Sequence, residues 1–297
     1  MRTLVLIAIA GAVAQLVDGG LGMGFGVTST SIMIMLAGLG PAHASAVVHA
    51  AEVGTTFVSG LSHWRFGNVD WKVALTLGIP GAIGAFIGAQ LLSTMPLDQA
   101  KPLTATILTL IGLNLVWRFS RGRTSRNAEL KKPYSRPFLW LLGAIGGTID
   151  ATGGGGWGPV TSSTLLSMGR QHPARIIGTV NTAEFLVACA ATGGFIAGLW
   201  SDIYHHFPAI MALLIGGALT SPVAAWLVSR INPTLLGGFV GTLLVVLNIP
   251  FGGFWLKLGL CVCGVLFSVR GMQAHRRARI IVETEPQGQR YLSGISP

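Results

Sequence analysis

The feature that most constrains this chain is a glycine-rich stretch that occurs twice. Asp150-Ala151-Thr152-Gly153-Gly154-Gly155-Gly156-Trp157-Gly158-Pro159 has a worn counterpart 132 residues earlier, where Asp18, Gly22, Gly24 and Gly26 match Asp150, Gly154, Gly156 and Gly158. The register continues without a gap through Ser31 and Ser163, Pro41-Ala42 and Pro173-Ala174, Val48 and Val180, Ala51-Glu52 and Ala183-Glu184, and Asp70 and Asp202. Chance gives one such match. A gap-free series that keeps glycine, proline and the acids in place marks two copies of one unit.

Composition decides the solvent. Only 10% of the 297 residues are charged against 51% hydrophobic, and the mean hydropathy is +0.64. A soluble domain has about a quarter of its residues charged, so apolar runs that follow one another this closely belong in a bilayer. The 42 glycines lack the triplet period of collagen and suit transmembrane helices packed backbone to backbone, or broken on purpose. The net charge of +10 is concentrated where Arg118, Arg121, Arg123, Arg126, Lys131, Lys132 and Arg136 crowd one linker, and where Arg270, Arg276, Arg277 and Arg279 follow the last apolar run. Basic clusters beside membrane spans obey the positive-inside bias and point away from nucleic acid as a partner. Cys189, Cys261 and Cys263 lie in apolar runs without metal-ligand spacing and read as small buried hydrophobes. Leu4 to Ala14 resembles a signal sequence with Ala12-Val13-Ala14 as its cleavage site, yet removal would delete the counterpart of Phe138 to Ile149.

The fold expected is an all-α integral membrane protein built as an inverted repeat. Its parts are a first transmembrane repeat (1–118), a basic cytoplasmic linker (119–137), a second repeat with an extra helix (138–271) and a cytoplasmic tail (272–297). In the first copy Leu4 to Val17 and Val27 to Leu39 flank the glycine break. Neither reaches the roughly 20 residues needed to cross a bilayer, so they read as half-length helices meeting tip to tip in a re-entrant pair. Ala44 to Leu61, Val73 to Leu92 and Leu103 to Trp117 follow. The second copy has Phe138 to Ile149, its break, Val160 to Met168, Ile176 to Leu199, Phe207 to Val228 and Leu235 to Ile249, then an additional run from Phe254 to Val269. That makes two broken pairs and about seven long helices.

With linker and tail cytoplasmic, Arg170, Arg175, Arg230 and the His63 to Lys72 loop fall inside. The Gly40-Pro41 turn, the Trp200 to His206 loop and Asn248-Ile249-Pro250 fall outside. Equivalent loops face opposite sides, which relates the copies by a two-fold axis in the membrane plane. Re-entrant and twice-crossing pairs both preserve this inversion; a single broken crossing abolishes it.

Unwound backbone in hydrocarbon leaves polar groups unpaired unless protein or a watery cavity surrounds them, so two equivalent breaks point to a site. Helix N-termini present free N–H groups and partial positive charge. Gly24 and Gly26 precede Thr28 and Ser29, as Gly156 and Gly158 precede Thr161 and Ser162. Together these residues make a cradle for a small oxyanion near the midplane, with Trp157 as a gate or as packing. The alternative is that glycine serves close helix packing and the hydroxyls return to carbonyls one turn back.

Glu52 and Glu184 interrupt apolar runs, and an intramembrane carboxylate normally faces a cavity and often carries protons. They are the expected proton-coupling pair; stapling helices or pairing with a basic residue is the alternative. His49 and Asn181, three residues before each glutamate, are placed to bind substrate or orient the acid. Asp18 and Asp150 cap helix ends or bind a cation, and Asp70 and Asp202 are turn or cap residues. No metal set, nucleophile turn or phosphate-binding loop is evident, so no catalytic residue, cofactor or metal is assigned.

Asp18-Gly19-Gly20-Leu21-Gly22-Met23-Gly24-Phe25-Gly26-Val27-Thr28 and Asp150 to Val160 resemble the duplicated motif of the TauE/SafE family of sulfite exporters. The basic central linker and the Ala51-Glu52 and Ala183-Glu184 pairs agree with it, and the likeness runs from about Leu4 to Arg270. The resemblance implies a multi-pass prokaryotic inner-membrane permease for sulfite or an organosulfonate such as sulfoacetate, moving it outward by alternating access. An anion channel and an integral-membrane enzyme are the alternatives. Val27 stands where the second copy has Pro159, so the half-sites are not identical. Membrane lipid is the expected surround, and the exposed transmembrane surface permits a homodimer.

Overall fold

The computed structural model describes residues 2–21, 23–120, 133–168, 170, 171, 173–228, 233–249, 259, 260, 262–264, 266, 269, 270 and 273. Most of the basic linker, of the additional run from Phe254 to Val269 and of the tail lies outside the described residues. The described helices are α1 (Arg2–Leu21), α2 (Phe25–Leu36), α3 (Pro41–Arg65), α4 (Trp71–Thr94), α5 (Leu97–Ser120) and α6 (Arg136–Gly153) in the first part of the chain. A π-helical turn (Gly158–Ser162) then leads into α7 (Ser163–Met168), followed by α8 (Pro173–His205), α9 (Phe207–Val228) and α10 (Pro233–Asn248). The helices follow the apolar runs, and Pro41 and Pro173, equivalent in the repeat, each begin a helix because a missing N–H is harmless there.

The protein is an all-α, multi-pass helical bundle. Trp71–Thr94, Leu97–Arg118 and Ala174–His205 are long and apolar enough to cross a membrane, and Phe25–Met35, Phe207–Thr220 and Gly238–Asn248 are shorter apolar helices. Leu75, Ile79, Ile83, Ile87 and Leu91 form an exposed apolar stripe along α4, the arrangement expected where hydrocarbon is the solvent. The same solvent explains Cys189 and Cys263, which are exposed and not buried as composition suggested. Cys261 lies outside the described residues.

The first arms of the broken pairs are longer than the half-length helices expected: α1 has 20 residues and α6 has 18. They run on through Asp18 and Asp150 because those side chains do not stop the helix; each turns to the first N–H of the following element. The second arms are short, with 12 residues in α2. The second broken pair doubles back. Arg170 donates from Nη1 to the Pro133 carbonyl at 3.1 Å, its guanidinium lies 5.5 Å from the Tyr134 ring centroid, and the Tyr134 hydroxyl donates to Leu165 O at 3.5 Å. The far end of α7 therefore sits beside the start of α6. Burial pushes the Tyr134 phenol above its ordinary range, against the pull of Arg170.

Helix pairing exchanges the copies. α1 packs on α9 and α4 on α6, which is one pairing read twice across the 132-residue displacement; α3 packs on α8 and α5 on α10. Glycine allows these backbones to touch. A Cβ at Gly143 or Gly147 would overlap the Leu77 or Gly81 carbonyl of α4, and one at Gly11 or Gly216 would overlap the Leu213 or Ala8 carbonyl across the α1–α9 seam.

The ends of the bundle carry matching ion pairs. At one end Arg175 Nη2 lies 3.7 Å from Asp70 Oδ2, which also accepts from Gln171 Nε2 at 2.9 Å. At the other, some 36 Å away along α3 at 1.5 Å per residue, His43 Nε2 lies 3.4 Å from Asp202 Oδ1. Residue 43 is the equivalent of 175 and residue 70 of 202, so the two pairs exchange when the copies exchange.

Candidate functional site

The two breaks meet in the middle of the bundle. Gly24 (φ 129°), Gly154 (φ 72°) and Gly155 (φ 129°) hold left-handed backbone that side chains rarely adopt. Gly155 lies against the backbone of Gly26 and Val27 so closely that a Cβ there would overlap both. The Thr30 hydroxyl of α2 donates to the Gly154 carbonyl, tying one break to the other.

A helix that ends inside a membrane leaves its last carbonyls without partners, and here neighbouring helices supply them. Ser45 Oγ donates to Ala151 O at 2.8 Å, Thr104 Oγ1 to Thr152 O at 3.0 Å, and His49 Nε2 lies 3.4 Å from Asp150 O. Asp150 joins the two arms of its break. Its carbonyl accepts the Gly155 N–H at 2.8 Å, and its Oδ1 accepts the Trp157 N–H at 2.7 Å. Asp18 stands in the same relation to the Phe25 amide, the equivalent of Trp157. Both aspartates are caps, one of the two roles expected for them.

The expected hydroxyl donors divide by copy. Thr28 Oγ1 and Ser29 Oγ are buried, at 4% and 0% exposure, and neither has a hydrogen-bond partner among the described residues. In the second copy Thr161 Oγ1 donates to Trp157 O at 2.5 Å and Ser163 Oγ to Pro159 O, bonds back to the preceding turn. Ser162 is fully buried beside them, as are Gly156 and Gly158. The π-helical turn Gly158–Ser162 accompanies the difference: its wider ring leaves carbonyls that the local hydroxyls take up. Trp157 is fully buried between Gly81 and Gly146 and donates from Nε1 to Val180 O at 3.1 Å, a packed position away from any mouth.

The acids gather beside the first break. His49 Nδ1 lies 2.9 Å from Glu52 Oε2 and 3.8 Å from Asp150 Oδ2, and its ring stacks on Phe195 at 6.1 Å. His49 thus orients acids. A Cβ at Gly26 would overlap Glu52 Oε1, so this carboxylate stands beside the break itself. Ligand atoms of His49, Glu52 and Asp150 lie within 4.8 Å of one another, but Glu52 already engages the imidazole and the Trp157 amide engages Asp150, which makes this a hydrogen-bonded network. Next to it is a cavity of about 10 Å³ with Asp18, Glu52, Asn181 and Glu184 in its wall. Asn181 donates from Nδ2 to Ser59 Oγ at 3.1 Å, and its Oδ1 has no donor among the described residues. Asp18 as a wall residue and Asp150 as the joint between arms were undervalued by sequence reasoning; their exact matching across the repeat was the available signal.

The profile of the family described as Sulfite exporter TauE/SafE matches residues 7–251, a span that holds both breaks and every residue of the cavity. The chain belongs to the TauE/SafE family. Among TauE/SafE relatives, the Bacillus subtilis (strain 168) protein named "Probable membrane transporter protein YtnM" is 44% identical over 253 residues, covering 84% of this chain and 82% of its own. A second from the same organism, "Probable membrane transporter protein YdhB", is 26% identical over 219 residues, covering 73% of this chain and 85% of its own. No solved structure matches the chain. TauE/SafE proteins are membrane permeases, a non-catalytic class, and this chain is a membrane transporter of that class.

Proposed function

We propose that this TauE/SafE protein is a secondary transporter that carries a small sulfur-containing anion, sulfite or an organosulfonate such as sulfoacetate, outward across the inner membrane by alternating access. The observation that carries the reading is the pair of buried, unpartnered hydroxyls of Thr28 and Ser29 on a helix that begins at the contact of two broken helices. Such donors, with the N–H groups and dipole of the α2 start, suit an oxyanion. The family description as sulfite exporter supports the sulfur anion.

Alternating access is supported by the exchange of the Asp70–Arg175 and Asp202–His43 pairs at opposite ends, the relation an inverted repeat gives. Each pair then closes one side. A carrier is favoured over a channel by the cavity, which has room for about one water-sized sphere and none for a sulfite ion, so the halves must part before an anion enters. An anion arriving among Glu52, Glu184, Asp18 and Asp150 meets like charge unless a cation arrives with it. Proton uptake at Glu52 and Glu184 supplies that compensation and makes anion and proton binding mutually favourable. Counterflow in proteoliposomes with sulfite, sulfate, thiosulfate, sulfoacetate and taurine, across a set pH difference, tests the reading. Saturable, pH-dependent exchange of sulfite or sulfoacetate is expected; unitary currents, or no exchange of any sulfur anion, would overturn it.

A further inference from the structure

The cavity beside the breaks has a chemical character that an anion site alone does not explain. Its wall brings together Asp18 of α1, Glu52 of α3, and Asn181 and Glu184 of α8, with the hydroxyl residues Thr55, Thr56 and Ser59 and the amide of Gln15. These side chains offer oxygen, and three of them are carboxylates. Asp150 of α6 adds a fourth acid within electrostatic reach of Glu184. Among the described residues the one side chain that opposes them is the His49 imidazole, and it is engaged by Glu52 and Asp150. α2 and α9, which also pack here, carry no charged residue.

Asn181 gives a second and independent indication. Its side chain lies in the wall and is 5% exposed; its Nδ2 is committed to Ser59, and Oδ1 is left without a donor. A buried carbonyl oxygen lacking a donor amid carboxylates is an acceptor waiting for a cation, since an anion would find it repulsive.

From this arrangement we infer that the cavity lined by Asp18, Glu52, Asn181 and Glu184 is a sodium-binding site, with protons competing for the same carboxylates. The inference rests on the transport reading only for its purpose, charge compensation of the bound anion. Oxygen ligands without sulfur or free imidazole select a hard cation. A cavity of about 10 Å³ has room for one dehydrated ion of water size and none for the waters that magnesium retains. The end of a broken helix inside a membrane is where coupling cations bind in inverted-repeat transporters. Calcium would be gripped by several carboxylates too firmly for turnover, and carboxylates crowded around a single ion favour sodium, with its higher charge density, over potassium.

The test is equilibrium binding of radiolabelled sodium to the full-length protein in lipid nanodiscs, at neutral and at mildly acidic pH. Saturable binding that unlabelled sodium and protons displace is expected. Asp18→Asn, Glu184→Gln and Asn181→Leu should each weaken it by about tenfold or more, and Asn181→Asp should retain it. A second measurement does not depend on variants: replacing choline by sodium at constant ionic strength should raise the Tm of the wild-type protein by about 3 °C. No saturable sodium binding, undiminished binding in all three variants, or displacement by calcium alone would overturn the inference. Sulfite counterflow that proceeds equally in sodium-free choline would remove sodium and leave the transport reading standing. Sodium binding without counterflow of any anion would do the reverse.

Discussion

Individual residues divide into those with a task and those that only pack. Ser29 is fully buried without a partner, so its hydroxyl lowers stability unless a ligand takes it up. Ser29→Ala should leave Tm unchanged or slightly higher while weakening sulfite binding by about tenfold; calorimetry and equilibrium binding on one preparation check both. A fall in Tm with unaltered affinity would make the hydroxyl structural. Trp157→Phe should do the opposite. It loses the Nε1 bond to Val180 O at 3.1 Å, which costs about 1 kcal/mol of stability, and should leave counterflow rates intact in the folded fraction. Glu52→Gln and Glu184→Gln should abolish the pH dependence of counterflow with substrate binding still measurable; unchanged dependence in both variants would end the proton-coupling idea. His49 illustrates the limit of reading residues singly. Its spacing from Glu52 was visible in the sequence, whereas its reach to Asp150, 101 residues away, was not.

Among the elements the broken helices are the sensitive part. Gly155 combines φ 129° with direct contact on the Gly26 and Val27 backbone. Gly155→Ala should therefore destabilise the protein by about 3 kcal/mol or more, from backbone strain and overpacking together. Thermal unfolding in detergent measures this, with Gly193→Ala as the control because a Cβ there meets nothing within 4 Å. The sequence placed both breaks correctly and matched each long run to a helix, with ends off by up to six residues at the start of α5 and the end of α8, since hydrophobic runs and glycine clusters are local signals. It made the first arms too short. Where Asp18 and Asp150 interrupt the apolar pattern, a carboxylate that caps the next helix is indistinguishable from one that ends its own.

For the whole molecule, the proposed inversion of the two copies makes a prediction about sides. In a background with Cys189, Cys261 and Cys263 replaced by serine, Asp70→Cys paired with Arg175→Cys should react from the side opposite to His43→Cys paired with Asp202→Cys. Crosslinking either pair should stop counterflow, because each rejoins the halves at one end. Labelling of both pairs from one side would dismiss the inversion. The same scale explains why glycine is so abundant here: lipid offers no hydrophobic reward for bringing helices together, so the α1–α9 and α4–α6 seams rely on backbone contact that only small residues permit.

Sequence by itself determined the bilayer as solvent, the duplication, the two breaks and the pairing of acids, because each is written in composition or in a fixed displacement along the chain. Only the tertiary structure decided what those groups face. It placed Gly26 on Gly155, turned the hydroxyls of the second copy back onto their own turn while leaving Thr28 and Ser29 unpartnered, and gathered Asp18, Glu52, Asn181 and Glu184 around one small cavity. The reason is physical. Burial and partnership are properties of helices brought together from distant parts of the chain, and two copies with equivalent residues still differ once one second arm opens with a π-helical turn and the other does not.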